Sequence, residues 1–228
     1  MFAIETDMHS IEVSRSFGLR QRRLVIALML LLFGASGGIA AEFDFRDPKG
    51  VNTIAFALDS RLEPLRGLAS GISGTLHFDP ADPGATRGRI VVAASSLFFP
   101  NQRMTEVLKS PDWLNIAEYP IISFTFRDVL ETETVDENTV QLEVRGDFEL
   151  RGVVREKVLP VQITYLPGKL AERVGDETPG DLIVLRTDFA ISRLDYNIRT
   201  DLDFGQVARD IRIDVAIAGG APHGVQEP

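Results

Sequence analysis

No cysteine occurs anywhere in the 228 residues. Disulfides, thiol nucleophiles, thiolate metal sites and lipid attachment through a leader cysteine are therefore all excluded. Histidine is nearly as scarce. Beyond the amino-terminal region only His77 and His223 remain, far apart and without a second ligand at metal-binding spacing. There is no G-x-S-x-G nucleophile elbow, no P-loop and no G-x-G-x-x-G fingerprint. Excess positive charge is missing as well. The net charge is −9, which favours solubility and disfavours nucleic acid and anionic lipid headgroups as partners.

The one long apolar run lies near the start. Arg15, Arg20, Arg22 and Arg23 precede Leu24–Phe33, and small residues continue through Ala41. Positive, then apolar, then small is the pattern of a cleavable secretory signal, expected at residues 1–40 with the cut after Ala40 and export to the periplasm. The stretch before Arg15 exceeds what such a leader needs, so Met8 is a second candidate start. An uncleaved membrane anchor is the competing reading, weakened by Gly and Ser in the second half of the run.

Alternation dominates the rest of the chain. Thr139–Tyr165 reads as a hairpin. Val140, Leu142, Val144, Phe148 and Leu150 share a face with Leu159, Val161, Ile163 and Tyr165, and Arg151–Glu156 serves as a polar connector. Period two over so long a stretch is a strand signature, because successive side chains leave a strand on opposite faces. Thr53–Asp59, Gly71–Asp79, Arg89–Ser96, Ile122–Phe126, Leu182–Ser192 and Asp210–Ala218 repeat the pattern. The turn chemistry of Asp79–Thr86 makes Gly71–Ser96 a second hairpin. One segment breaks the period. Asn101–Lys109 places Met104, Val107 and Leu108 at helical spacing, with Asn101 as cap and Ser110-Pro111 as stop.

About eight antiparallel strands with one helical insertion predict an all-β, closed antiparallel barrel over residues 41–219, ending in a flexible tail at 220–228. A two-sheet sandwich is the runner-up. Barrels of this size either pack solid or hold one small ligand, and periodicity does not separate the two. The acidic groups Glu131, Glu133, Asp136, Glu137 and Glu172, Asp176, Glu177, Asp181 have neither EF-hand spacing nor an evident partner, and read as solvated loop charge rather than as a glycosidase pair or calcium site. Arg193 and Asp195 would share a face if extended and read as a structural ion pair. Arg103 and Lys109 read as ordinary surface charge.

Four blocks in order resemble the YceI-like family: Gly74–Pro80 (GTLHFDP), Leu108–Phe126 around Trp113, Gly146–Val158 (GDFELRGVVREKV) and Ile191–Ile198 (ISRLDYNI). The resemblance spans Glu42–Gly219. It implies a lipocalin-like barrel in the periplasm that binds a long apolar molecule (a polyisoprenoid, an isoprenoid quinone or a fatty amide) with no catalytic residues, no metal and no cofactor beyond such a bound isoprenoid. On that reading Phe56, Phe78, Ile122, Phe124, Phe126, Val144, Phe148, Val161, Ile163, Phe189, Ile213 and Val215 line the tunnel, and the helical insertion is its lid. An inner-membrane partner and a homodimer are the assemblies this reading leaves open. The alternative is an interaction module with a filled barrel, serving an envelope stress response or a membrane redox complex.

Overall fold

The computed structural model describes residues 40–62 and 64–224. The expected leader, apart from Ala40, lies outside the described residues, as do the last four residues of the expected tail.

Ten strands form one antiparallel sheet: β1 (Ala41–Asp44), β2 (Thr53–Asp59), β3 (Pro64–Ala69), β4 (Ile72–Phe78), β5 (Arg87–Ala93), β6 (Ile121–Asp136), β7 (Thr139–Leu150), β8 (Val153–Leu166), β9 (Gly180–Ser192) and β10 (Asp210–Pro222). Eight of them close a ring in the order β1-β4-β5-β6-β7-β8-β9-β10, with β10 returning to β1. The expected closed barrel is the observed one. The alternation explains it, because each long strand carries one apolar face that has to leave water, and a ring buries those faces around one axis and leaves only the short β3 as an edge.

Two strands, β1 and β3, had no sequence signal. β1 and β2 occupy the same slot beside β10. β1 meets it only at Asp44↔Gly220, whereas β2 pairs along Thr53–Leu58 with Ala216–Ile211. Asn52 fills the break between them. Its buried side-chain amide donates to the carbonyls of Ala218 (2.8 Å) and Phe45 (3.2 Å) and accepts from the Ala218 N–H (3.0 Å), as a strand backbone would. β3 extends the sheet beyond β2 and touches the β5–β6 connection at Leu68↔Phe98.

Other differences are local. The β7–β8 connector is a two-residue turn, Arg151-Gly152, not six residues. Both take positive φ (50° and 71°), the geometry whose twist matches paired strands. β10 continues to Pro222, opposite Gly180, so Gly220, Ala221 and Pro222 belong to the wall rather than to the tail. Helix α1 (Gln102–Lys109) forms where expected, and Asn101 accepts from the Met104 N–H at 3.1 Å. A short helix α2 (Leu170–Val174) lies in the β8–β9 loop.

The two ends of the barrel differ. The upper end carries α1 and its flanking loops, the Arg151-Gly152 turn and the 193–209 loop. The lower end carries the β4–β5, β6–β7 and β8–β9 connections.

Candidate functional site: an apolar cavity under a latched lid

The inward faces are not equally packed along the axis. Toward the lower end, Phe43, Phe45, Leu76, Phe78, Leu142, Ile163 and Ile183 are all 2% exposed or less. The rings of Phe43, Phe78 and Tyr165 meet at steep angles with centres 6.2–6.4 Å apart. This half of the barrel is solid. Toward the upper end the side chains stand apart around a cavity of about 140 Å³ lined by 26 residues. Among these only Ser123, Thr187 and Trp113 carry a polar side-chain atom. The Ser123 hydroxyl is already taken by Arg89 (2.9 Å) and Glu149 (3.1 Å), and the Thr187 hydroxyl is buried without a partner. A space so lined offers water little beyond the Thr187 hydroxyl, short of the two to four polar partners an ordered water needs, and favours an apolar occupant.

Of the twelve residues expected to line a ligand tunnel, nine face this cavity: Phe56, Ile122, Phe124, Phe126, Phe148, Val161, Phe189, Ile213 and Val215. Phe78, Val144 and Ile163 do not. They point inward as the alternation requires, but Phe78 and Ile163 sit in the solid lower half, and Val144, 0% exposed, is covered by its neighbours. Facing direction was legible from period two. Which inward residue meets empty space depends on packing across the barrel, which period two does not report. Two glycines make the phenylalanine positions feasible. A Cβ on Gly67 would come within 2.3 Å of the Phe56 ring, and one on Gly146 within 2.5 Å of the Phe124 ring, so each ring lies flat over a bare backbone on the neighbouring strand.

The roof residues are not among the twelve expected to line the tunnel. Leu97, Leu108, Trp113 and Leu114 from the β5–β6 connection and Ile198 from the β9–β10 loop close the cavity above. α1, the expected lid, reaches the cavity only through Leu108. The turn after it contributes more, and the single tryptophan was the available signal. Three arginines fasten the roof. Arg151 reaches up from its turn, donating to Asn197 O (2.6 Å) and Pro111 O (3.2 Å), and so ties both roof segments to the β7–β8 hairpin. Arg199 stacks over the Trp113 ring at 5.9 Å.

Arg193 is the third. It is not paired with Asp195, as the spacing suggested, because the chain there turns as a 3₁₀ segment instead of extending. It is fully buried and donates to the carbonyls of Leu202 (2.7 Å), Ala208 (3.0 Å), Ile198 (3.1 Å) and Arg199. Burial lowers its pKa from the usual value. The carbonyls are what make a buried guanidinium tolerable, and the guanidinium is what folds the 198–208 loop. Beside it Tyr196 is 0% exposed, edge to face with Phe148 at 5.7 Å, and its hydroxyl has no partner; burial pushes its pKa to about 12. Lys109 bonds Ser95 O at 2.6 Å. Among the described residues no group of acidic or histidine side chains is arranged to hold a metal ion.

The fold and the cavity together define the class: an eight-stranded antiparallel barrel, closed, with an apolar chamber in one half. A profile described as the YceI-like domain matches residues 48–218, and the chain belongs to that family. Protein YceI of Escherichia coli O157:H7 is 25% identical over 206 residues, 88% of this chain and 98% of its own length. The counterpart of Salmonella newport (strain SL254) is 24% identical over the same shares of the two chains. Among solved structures, Burkholderia cenocepacia BcnA superposes with a TM-score of 0.60 at 16% identity, covering 73% of this chain and 95% of its own. A polyisoprenoid binding domain from Saccharophagus degradans, implicated in plant cell wall breakdown, superposes with a TM-score of 0.57 at 11% identity, covering 80% and 99%. At these identities the solved structures speak to the fold alone.

Proposed function

We propose that this protein is a periplasmic carrier of an apolar, chain-like lipid of the polyisoprenoid class, held in the upper chamber of the barrel, and that it performs no chemistry on that lipid. The observation that carries the reading is the chamber itself, lined by hydrocarbon and with no side-chain charge in its lining. A cavity of this kind returns binding energy through area removed from water, about 25 cal/mol per Å². The polyisoprenoid binding domain with the same fold supports the ligand class. Export rests on the leader pattern at residues 1–40, and amino-terminal sequencing of protein recovered from the periplasm tests it. Sequencing that begins at Met1 or Met8 overturns it.

The carrier reading is tested by extracting lipid from protein purified from its own host and weighing the extract by mass spectrometry, then offering isoprenoids to the delipidated protein. The expected result is a stoichiometric apolar compound and saturable uptake. Phe124→Asp, which places an unpaired carboxylate on the chamber wall, is expected to abolish uptake or to unfold the protein. A lipid-free protein that takes up nothing overturns the reading and leaves a filled interaction module in its place.

A further inference from the structure

The two closures of the chamber differ in kind. The roof is loop, held by arginines whose bonds reach backbone carbonyls across exposed segments. The floor is core. On the β10 wall the last lining residue is Ile217, and the ring of Phe45 lies directly beyond it against Gly219, where an added Cβ would meet the ring at 3.0 Å. Phe45 is itself fixed by its N–H bond to Gly74 O (3.0 Å) and is 0% exposed. Below it the aromatic group of Phe43, Phe78 and Tyr165 is pinned from outside, since the Tyr165 hydroxyl donates to Asp181 at 2.8 Å and the same carboxylate accepts from the Gly168 N–H at 2.8 Å. An occupant entering from above therefore meets a floor that moves only if core packing is broken.

Resting on the carrier reading, we infer that this floor is a chain-length ruler: the protein selects the part of its ligand that it encloses by length, and the walls set an upper limit of roughly a dozen carbons on that segment. The chamber's height is set by the sheet. The lining runs on β9 from Ile191 to Leu185 and on the neighbouring β10 from Ile211 to Ile217, in register, six residue steps along each strand. At about 3.3 Å per residue and a strand tilt of about 40°, that is roughly 15 Å along the barrel axis. An extended chain advances about 1.2 Å per bond, so roughly a dozen carbons, or about three isoprene units, reach the floor. Longer lipids bind with the remainder outside the roof, and the surplus adds no buried area.

A series of straight-chain primary alcohols from about eight to about twenty carbons reads the ruler by competition against a fluorescent apolar probe. The dissociation constant of the intact protein is expected to fall about fourfold per added carbon up to roughly a dozen and then to stay level. Ile163→Ala, which hollows the floor, is expected to move the break to longer chains, and Leu185→Phe, which fills the chamber just above it, to shorter ones. Val158→Ala, on the outer face, is expected to leave the break where it is. Affinity that keeps rising past about sixteen carbons at the same slope, or a break that neither chamber variant moves, overturns the ruler while leaving the carrier reading intact. No binding at any length overturns both. If Ile163→Ala does not fold, the intact protein's series and Leu185→Phe decide the matter between them.

Discussion

Arg193 shows how one side chain organises a segment that has almost no regular structure. Its guanidinium fork meets carbonyls from Ile198 to Ala208, so the loop over the chamber is wrapped around a charge. Arg193→Met removes the donors and strands the carbonyls, and is expected to cost about 3 kcal/mol or more in urea unfolding. Arg193→Lys is expected to recover little of it, because an ammonium cannot span the fork. Tyr196, next to it, gives the opposite expectation. Its hydroxyl is buried without a partner, so Tyr196→Phe should leave stability unchanged or raise it by about 1 kcal/mol at neutral pH. The same residue sets an alkaline limit. A phenol held at about 12 when folded and ionising near 10 when unfolded stabilises the fold fully below pH 10, and that contribution is lost as the pH rises from 10 to 12. Tyr196→Phe should flatten that limb of a thermal-stability profile, leaving the part due to Tyr165, whose burial and Asp181 contact hold it at about 12 too.

Among the elements, the long hairpin β7–β8 and helix α1 were readable because their signals are local: a sustained period of two, and a cap, an apolar stripe and a proline stop. β1 and β3 were not. β1 is four residues long, and β3 carries Pro64 and Gly67, so neither has enough alternation to register; their conformation is imposed by β4, β10 and β2. The Arg193–Asp195 pairing failed for the same class of reason, since a turn rather than a strand lies between them. The roof was half-legible: its tryptophan stood out, but the arginine that latches it sits on a turn some forty residues away. That latch belongs to the element scale. Arg151→Ala frees both roof segments from the hairpin, and is expected to speed the exchange of a bound apolar probe several-fold in stopped-flow while changing its equilibrium affinity little.

For the molecule as a whole, the barrel could be foreseen and the division of its interior could not. Inward faces are dictated by alternation, whereas the solid half and the open half differ only in how rings such as Phe43, Phe45 and Tyr165 meet across the axis. Stability at low pH is also a collective property. Burial works against ionisation of Asp47, but N–H donation from Asn52, Lys49 and Val51 and the nearby Arg173 outweigh it, and the pKa is lowered. Asp44, beside Arg46, and Asp181, where burial is outweighed by Gly168, His223 and Tyr165, are lowered as well. A depressed carboxylate stabilises the fold above its unfolded value near 3.8, and that contribution disappears as the pH falls through the folded value. The melting temperature is thus expected to hold steady from neutrality to about pH 5 and to drop steeply below about 4. Asp47→Asn should shrink the drop.

β10 is the last strand made, and it is the partner of β1, β2 and β9 at once. Until those thirteen residues arrive, the wall has two raw margins and no way to become a ring. A chain of this design stays open until that strand has been made. Under the export proposed above, closure of the ring, and with it of the chamber, would then fall on the far side of the membrane.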